Sequence, residues 1–183
     1  TPLEMIDIAV KFITDRAVTH ELVRHRLASM NQESQRYVDY ESGKHGHDVK
    51  TIDQYFANDD ETYVFPMPLL KTLEDGTIRL TVMDKTVTKK DVWKIAMDMT
   101  NYFYKVLRYM KASPQESRTV LTNSTKTEII FKCNLREWRH IMNLRALGVT
   151  GKPYPPTQRL MQGLLIEFKA NYPVFFYDME VWS

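Results

Sequence analysis

The chain has 183 residues, the length of a single domain. Its hydrophobic fraction of 43% and charged fraction of 26% are ordinary for globular proteins and exclude a disordered or collagen-like chain. The apolar runs fall far short of the ~20 residues of a membrane-spanning helix, and a net charge of +2 is too small for a broad nucleic-acid-binding surface, so we expect no membrane and no nucleic-acid partner.

The first predicted elements are a strand and a helix. Apolar and polar residues alternate over 6–12, the pattern of a half-buried strand. Thr14 or Asp15 can then cap a helix that ends near Arg24. The polar, glycine-containing stretch 27–62 is predicted to be mostly loop.

The middle of the chain predicts two short strands and a long helix. The strands are Tyr63–Phe65 and Ile78–Met83, with Pro66, Pro68 and the turn pair Asp75-Gly76 between them. The helix runs from about Lys89 to Lys111, because Thr88 and Asp91 form a capping-box-like start and apolar residues then recur at helical spacing. A second start signal at 113–116 predicts a short helix that reaches about Val120.

The last third predicts a strand over Thr127–Lys132 and a helix over Leu135–Ala146, followed by an irregular segment and a final helix. The irregular segment, Gly148–Pro156, holds two glycines and three prolines, and the final helix covers Thr157–Ala170. We therefore predict one mixed α/β domain over 1–183, without an internal boundary.

The single cysteine, Cys133, excludes an intramolecular disulfide and a metal site made of several cysteines. It ends an apolar strand-like run, so we interpret it as a small buried hydrophobe rather than a nucleophile. His45 and His47 lack a third ligand at useful spacing, and we predict no metal site. Because free thiols are typical of reducing compartments and no targeting segment is recognisable, we expect a cytoplasmic protein.

Arginines and polar residues are densest from Arg24 to Tyr37, at the end of the first predicted helix. Arginine forks bind phosphate and carboxylate groups in a bidentate manner, so this stretch could cradle an anion. Cations that only complement a helix dipole would look the same, and composition does not separate the two interpretations.

The spacing within this stretch resembles a family signature. Arg24-His25-Arg26, followed by seven residues and Ser34, is similar to the signature of the flavin-dependent thymidylate synthases. Other segments resemble the same family and extend the similarity over essentially the whole chain: Thr1–Glu4, Ser117–Leu121, Asn134–His140 and Leu144-Arg145.

The resemblance implies an α/β (α+β) fold of the thymidylate synthase-complementing protein type, a central, mostly antiparallel sheet with flanking helices. It implies a transferase that methylates dUMP to dTMP with 5,10-methylenetetrahydrofolate, FAD and NADPH, without an enzyme nucleophile. It also implies a homotetramer with active sites at subunit interfaces, so we expect apolar residues exposed on the helix over 89–111. Because the first residue falls inside a family segment, we expect the N-terminal part of the family domain to be missing.

Site residues follow from the resemblance position by position. Arg145 matches the catalytic arginine that contacts the uracil ring. The implied dUMP-binding residues are Glu21, Leu22, Val23, Arg24, Gln32, Glu33, Ser34, Gln35, Arg36, Arg118 and Arg145. The implied FAD-binding residues are Thr1, Arg24, His25, Arg26, Gln32, Asn134, Leu135, Arg136 and His140.

One departure from the family lies after Arg145, where a histidine usually packs beside the flavin. The segment over 148–156 has no histidine, and we expect Tyr154 or the prolines to replace it by stacking or packing. Two alternatives stay open: a non-enzymatic nucleotide- or nucleic-acid-binding module built around Arg24–Arg26, and a family member that has lost its activity.

Overall fold

The computed structural model describes residues 2–40, 42, 46–56, 59–74, 76 and 78–180. Its strands are β1 (Asp7–Asp15), β2 (Ser29–Gln32), β3 (Thr62–Thr72), β4 (Ile78–Thr88) and β5 (Lys126–Asn134). Its α-helices are α1 (Arg16–Leu22), α2 (Lys89–Tyr109), α3 (Pro114–Ser117), α4 (Leu135–Ile141), α5 (Pro155–Asn171) and α6 (Pro173–Phe176). Short 3-10 turns cover Pro2–Glu4 and Arg118–Val120, and a π-helical turn covers Met142–Ala146.

An antiparallel sheet in the order β1-β5-β2 forms the centre of the fold. β1 pairs with β5 along its full length, from Asp7 opposite Asn134 to Asp15 opposite Lys126. β2 pairs with the other edge of β5, from Ser29 opposite Lys132 to Gln32 opposite Ile129. The expected mixed fold with an antiparallel sheet and flanking helices is confirmed.

The main core lies between this sheet and α1, α4 and α5. Trp138 of α4 is fully buried, and its ring centroid lies 5.4 Å from that of Phe131 and 5.3 Å from that of Phe168. Its indole N–H donates to the Ile8 carbonyl over 3.0 Å, so the polar atom is satisfied as well. Leu135 and Ile141 of α4 are fully buried with Trp138, and Cys133 is also buried in this core.

Three sequence-based predictions about elements are wrong in detail. β2 lies inside the stretch predicted to be loop. It has only four residues, and they do not alternate between buried and exposed positions. β3 runs through Pro66 and Pro68, which were predicted to separate strands. The prolines are two residues apart, so their nitrogens face the same side of β3. Among the described residues the β3–β4 pair has no third strand, and a free edge tolerates the missing N–H groups. α5 begins at Pro155 rather than Thr157, because proline suits the first helical turn.

α2 packs one side against a small second core and leaves another side exposed. Tyr104 of α2 is buried against Tyr40, with ring centroids 5.6 Å apart. Apolar side chains on the remaining faces are more than a third exposed, as expected from the resemblance: Val92, Ile95, Met99, Tyr102 and Phe103. Among the described residues, no helix is long and apolar enough to cross a membrane.

Candidate active site

A cavity of about 510 Å³ lies where the end of α1 meets α4. Its lining residues are Arg24, His25, Arg26, Leu27, Arg136, Glu137 and His140. α1 follows the end of β1, and α4 follows the opposite end of its antiparallel partner β5. Both helices run back over one sheet face, and this brings together two segments more than a hundred residues apart in the sequence. Five of the implied FAD-binding residues therefore share one cavity.

His25 is the buried centre of the site. It is 6% exposed, and burial, followed by the nearby charges of Arg145 and His140, lowers its pKa to about 4. Its Nε2 accepts a hydrogen bond of 3.2 Å from Nε of Arg145, and its Nδ1 lies 3.7 Å from Oε1 of Glu137. A neutral imidazole with its proton on Nδ1 satisfies both contacts. Burial also raises the pKa of Glu137.

Arg145 is held from two sides at this site. Besides its contact with His25, its Nη1 lies 3.0 Å from Oε2 of Glu21 on α1. Arg145 lies in the π-helical turn, where the Leu147 N–H donates to the Met142 carbonyl, five residues back, over 3.0 Å. The guanidinium thus joins the turn after α4 to α1. Within the described part of the chain, Nη2 of Arg145 has no hydrogen-bond partner, so it can meet a ligand.

The rim of the cavity carries positive charge. Arg24, Arg26, Arg136 and His140 are all exposed. Nε of Arg136 lies 2.7 Å from Oε1 of Glu4, which places the N-terminal segment beside the cavity. The rings of His140 and His25 meet edge to face, with centroids 6.3 Å apart. The three arginines around a cavity of this size can bind a polyanionic ligand.

Other implied FAD-binding residues have different surroundings. The Asn134 side chain caps α4 by accepting from the Glu137 N–H over 2.9 Å, and the Leu135 side chain is buried in the core. The amide of Gln32 donates to the hydroxyls of Thr19 and Thr127, away from the cavity lining. Thr1 lies outside the described residues.

Most of the implied dUMP-binding residues do not line the cavity either. Leu22 is buried in the core, Val23 is exposed, and the loop over 33–36 follows β2. In that loop, Oγ of Ser34 accepts from the Arg36 N–H over 3.3 Å, and Arg36 and Arg118 are exposed. Among the described members of this set, Glu21 and Arg145 contact each other beside His25, Arg24 lines the cavity, and the Leu22 carbonyl accepts from the His25 N–H over 3.0 Å.

The sequence prediction missed Glu137 and Arg16. Glu137 follows Arg136 directly, but nothing in its spacing indicates that it turns inward toward His25. Arg16 opens α1, and burial, followed by the charge of Arg118, lowers its pKa, whereas Tyr40 and Glu33 oppose the shift. Arg16 therefore lies within electrostatic reach of Arg118 and Glu33. Nη1 of Arg16 and Nε2 of Gln35 are buried donors without an acceptor among the described residues.

Tyr154 and Cys133 are the two further residues singled out by the sequence, and neither lines the cavity around His25. The Tyr154 hydroxyl donates to Oε1 of Gln54 over 3.4 Å, and its ring centroid lies 6.4 Å from that of Tyr55. Burial, followed by the charges of Asp15, Tyr55 and Glu21, raises the pKa of Tyr154. Cys133 is 4% exposed, which confirms its interpretation as a buried hydrophobe, and this burial raises the pKa of its thiol to about 12. Among the described residues, no cluster of acidic, histidine and cysteine side chains could hold a metal; His45 lies outside them.

Comparisons with known proteins agree with one another. Residues 1–174 match the family model described as thymidylate synthase complementing protein. The chain is 33% identical over 130 residues to the flavin-dependent thymidylate synthase of Pyrococcus furiosus, which covers 71% of this chain and 42% of that protein. It is 30% identical over 168 residues to the corresponding protein of Mycobacterium marinum, which covers 91% of this chain and 58% of that protein. The chain thus spans roughly half the length of these curated relatives.

Solved structures share the fold at low sequence identity. A flavin-dependent thymidylate synthase from Helicobacter pylori, complexed with FAD and dUMP, aligns with a TM-score of 0.64 and 18% identity over 96% of this chain and 74% of the other. A UMP/dUMP methylase from Streptomyces cacaoi, bound with 5-Br dUMP, aligns with a TM-score of 0.66 and 18% identity over 97% and 72%.

Proposed function

The chain belongs to the thymidylate synthase complementing protein family, and from this membership we propose that it catalyses the reductive methylation of dUMP to dTMP. The proposed co-substrates are 5,10-methylenetetrahydrofolate as carbon donor and NADPH as reductant, with FAD as cofactor. The observation that carries the proposal is that Arg145 donates hydrogen bonds to His25 and Glu21 beside a cavity lined by arginines.

The residues present fit FAD. Its pyrophosphate is an anion, and Arg24, Arg26 and Arg136 supply exposed guanidinium groups around a cavity of about 510 Å³. His140 adds a ring and a hydrogen-bonding edge. When bound, the flavin supplies the redox step that passes electrons from NADPH to the transferred carbon.

Arg145 provides the electrostatic part of the mechanism. The uracil ring must gain negative charge before its C5 atom can attack the methylene carbon, and a guanidinium stays protonated throughout the working pH range. Since Nε and Nη1 are held by His25 and Glu21, the free Nη2 is pre-oriented toward a ligand and needs little reorganisation. We assign no covalent role to Ser34, because within the described residues no base contacts its hydroxyl.

The phosphate of dUMP is proposed to bind near Arg118. Arg16 lies within electrostatic reach of Arg118, and an anion bound between the two guanidinium groups would offset their mutual repulsion. The buried, unpartnered donors Nη1 of Arg16 and Nε2 of Gln35 support this assignment. Ser34 and Arg36 are proposed to act in the site of a neighbouring subunit, since in their own chain they do not line the cavity around His25.

This sharing requires an oligomer, and we propose a homotetramer. The exposed apolar side chains of α2 support it, and so does an apolar groove of about 480 Å³ between α2 and the β3–β4 hairpin. The free Cys133 thiol fits the reducing cytoplasm in which we propose that the protein works.

Release of tritium from dUMP labelled at C5 tests the proposed activity. With FAD, NADPH and methylenetetrahydrofolate present, we expect release that depends on each component, from a protein that turns yellow on binding FAD. A colourless protein that retards single-stranded DNA and releases no tritium would favour the alternative nucleic-acid-binding module. A yellow protein that binds dUMP without turnover would indicate a family member that has lost its activity.

A further inference from the structure

The backbone carbonyl of Ala146, the residue after Arg145, accepts two side-chain hydrogen bonds from another helix. Nε2 of Gln158 donates to it over 3.3 Å, and Nε2 of Gln162 donates over 3.2 Å. Both glutamines lie on α5, four residues apart, so they share one face of that helix. They converge on a single oxygen in a residue that is only 1% exposed.

This oxygen needs donors because of its place in the chain. It ends the π-helical turn, where carbonyl groups lose their partners within the helix. The following backbone turns away at Gly148, whose φ is +70°, and the Val149 N–H donates to the Asn143 carbonyl instead. A carbonyl oxygen has two lone pairs, and the two amides can occupy both.

We propose that Gln158 and Gln162 are positioning residues for Arg145, acting as an amide clamp on the π-helical turn that carries it. This inference rests on the proposed function for its catalytic consequence. The amide clamp, defined as these two side chains on the Ala146 carbonyl, fixes the backbone position one peptide unit from Arg145. The guanidinium can then span the gap to His25 and Glu21, which belong to a different part of the fold.

Two backbone hydrogen bonds hold the turn from within, Leu147 N–H to the Met142 carbonyl and Val149 N–H to the Asn143 carbonyl, and the amide clamp adds a contact from a different helix. A π turn is a rare form that occurs mostly as a single turn within an α-helix, so loss of the contacts that favour it would let the commoner α form compete. A return to the α form changes the rotation of Arg145 about the helix axis and draws its side chain away from His25. A role limited to holding α5 in place would leave the contact between Arg145 and His25 unchanged.

The experiment uses the full chain with Gln158→Leu, Gln162→Leu and the double substitution, which keep the side-chain bulk and remove the donors. Lys169→Met is the matched control, because Lys169 also donates from α5 to a backbone carbonyl, that of Met179, at 2.9 Å. The readout is the pKa of His25, followed by NMR of protein labelled in histidine. His25 faces Arg145, His140 and Glu137, and the charge of Arg145 helps to lower its pKa.

The clamp predicts that the pKa of His25 rises above about 4 in the double variant and in Arg145→Met, with no further rise when the changes are combined. Lys169→Met should leave it unchanged. An unchanged pKa in folded glutamine variants, alongside a rise in Arg145→Met, would overturn the clamp. The single substitutions give the same comparison if the double variant does not fold.

Turnover gives a second readout. In the clamp variants, we expect kcat for tritium release to fall about tenfold or more with a smaller change in the KM for dUMP, because the lost alignment matters most in the transition state. Unchanged kcat in an active enzyme would contradict the positioning role. If the native chain released no tritium, the proposed function would fail while the His25 titration still tested the clamp.

Discussion

His25 is a single side chain that links the pH dependence of stability to the proposed site. The resemblance implies a flavin contact for His25. In the structure, Nε2 of its imidazole accepts from Arg145, and Nδ1 faces the carboxylate of Glu137. A charged His25 would lose its acceptor for Arg145 and repel the guanidinium. The low pKa of His25 keeps the ring neutral at physiological pH.

The stability of the protein should therefore depend on pH through His25. Its pKa is about 4 in the folded chain, against an ordinary value of 6.5, so the unfolded chain binds the proton first as the pH falls. The free energy of unfolding should drop between pH 6.5 and 4, by up to about 3 kcal/mol in total. Denaturant titrations of the native chain and of His25→Gln measure this contribution.

His25→Gln should flatten this slope, while His20→Gln, a change at an exposed histidine, should retain it. Equal slopes in the native chain and in His25→Gln would contradict the assignment of the pH dependence to His25.

Tyr154 is the second residue whose role can be tested alone. Its ring packs against Tyr55 and its hydroxyl donates to Gln54, and the resemblance implies that it takes the place of the histidine usual in the family. We expect Tyr154→Ala to weaken FAD binding about tenfold through the lost aromatic contact, and Tyr154→Phe to change it by less than about threefold. Fluorescence titration with FAD measures both, with the exposed Tyr177→Ala as control. Unchanged affinity in Tyr154→Ala would show that the prolines or other groups fill this role.

At the scale of elements, the sequence predicted those with strong local signals. Thr88 and Asp91 form the predicted reciprocal cap of α2, and Asp15 caps α1 by accepting from the Val18 N–H at 2.8 Å. The π-helical turn could not be predicted, because its residues suit an ordinary helix and the backbone hydrogen bond from the Leu147 N–H to the Met142 carbonyl leaves no local sequence pattern. β2 was missed for a similar reason, since its pairing with β5 is a long-range contact.

The exposed side of α2 predicts an oligomeric contact. Ile95 lies among the exposed apolar side chains of α2 and is itself 43% exposed. Ile95→Glu should shift the protein from a tetramer to smaller species, because burying an unpaired carboxylate at an interface is costly. Sedimentation velocity measures the change, and Lys94→Glu on the same helix is the control. A tetramer that persists unchanged in Ile95→Glu would place the interface elsewhere.

At the scale of the whole molecule, the implied site residues form two groups. One surrounds His25, and the other, with Ser34, Arg36 and Arg118, lies outside that cavity. The resemblance predicts members of both groups, yet a single sequence does not assign them to one chain or two. That assignment depends on the relation between chains, which leaves no local pattern in the sequence.

Mixing inactive variants tests whether sites are shared between subunits. Arg36→Ala and Arg145→Met each remove a residue from a different group, so each alone should lose activity. Dissociating and reassembling the two together should restore part of the activity, because some mixed sites then contain both intact arginines. No recovery, despite mixed tetramers seen by native mass spectrometry, would indicate that each site is built from a single chain.

The central claim is that Arg145, held by His25 and Glu21, stabilises the charged uracil ring. It is tested most directly by tritium release from C5-labelled dUMP, with Arg145→Met compared with Arg159→Met, a change at an exposed arginine of α5. We predict that Arg145→Met lowers kcat about a hundredfold or more, as expected for a lost transition-state donor, and that Arg159→Met retains native turnover. Native turnover in Arg145→Met would contradict the account.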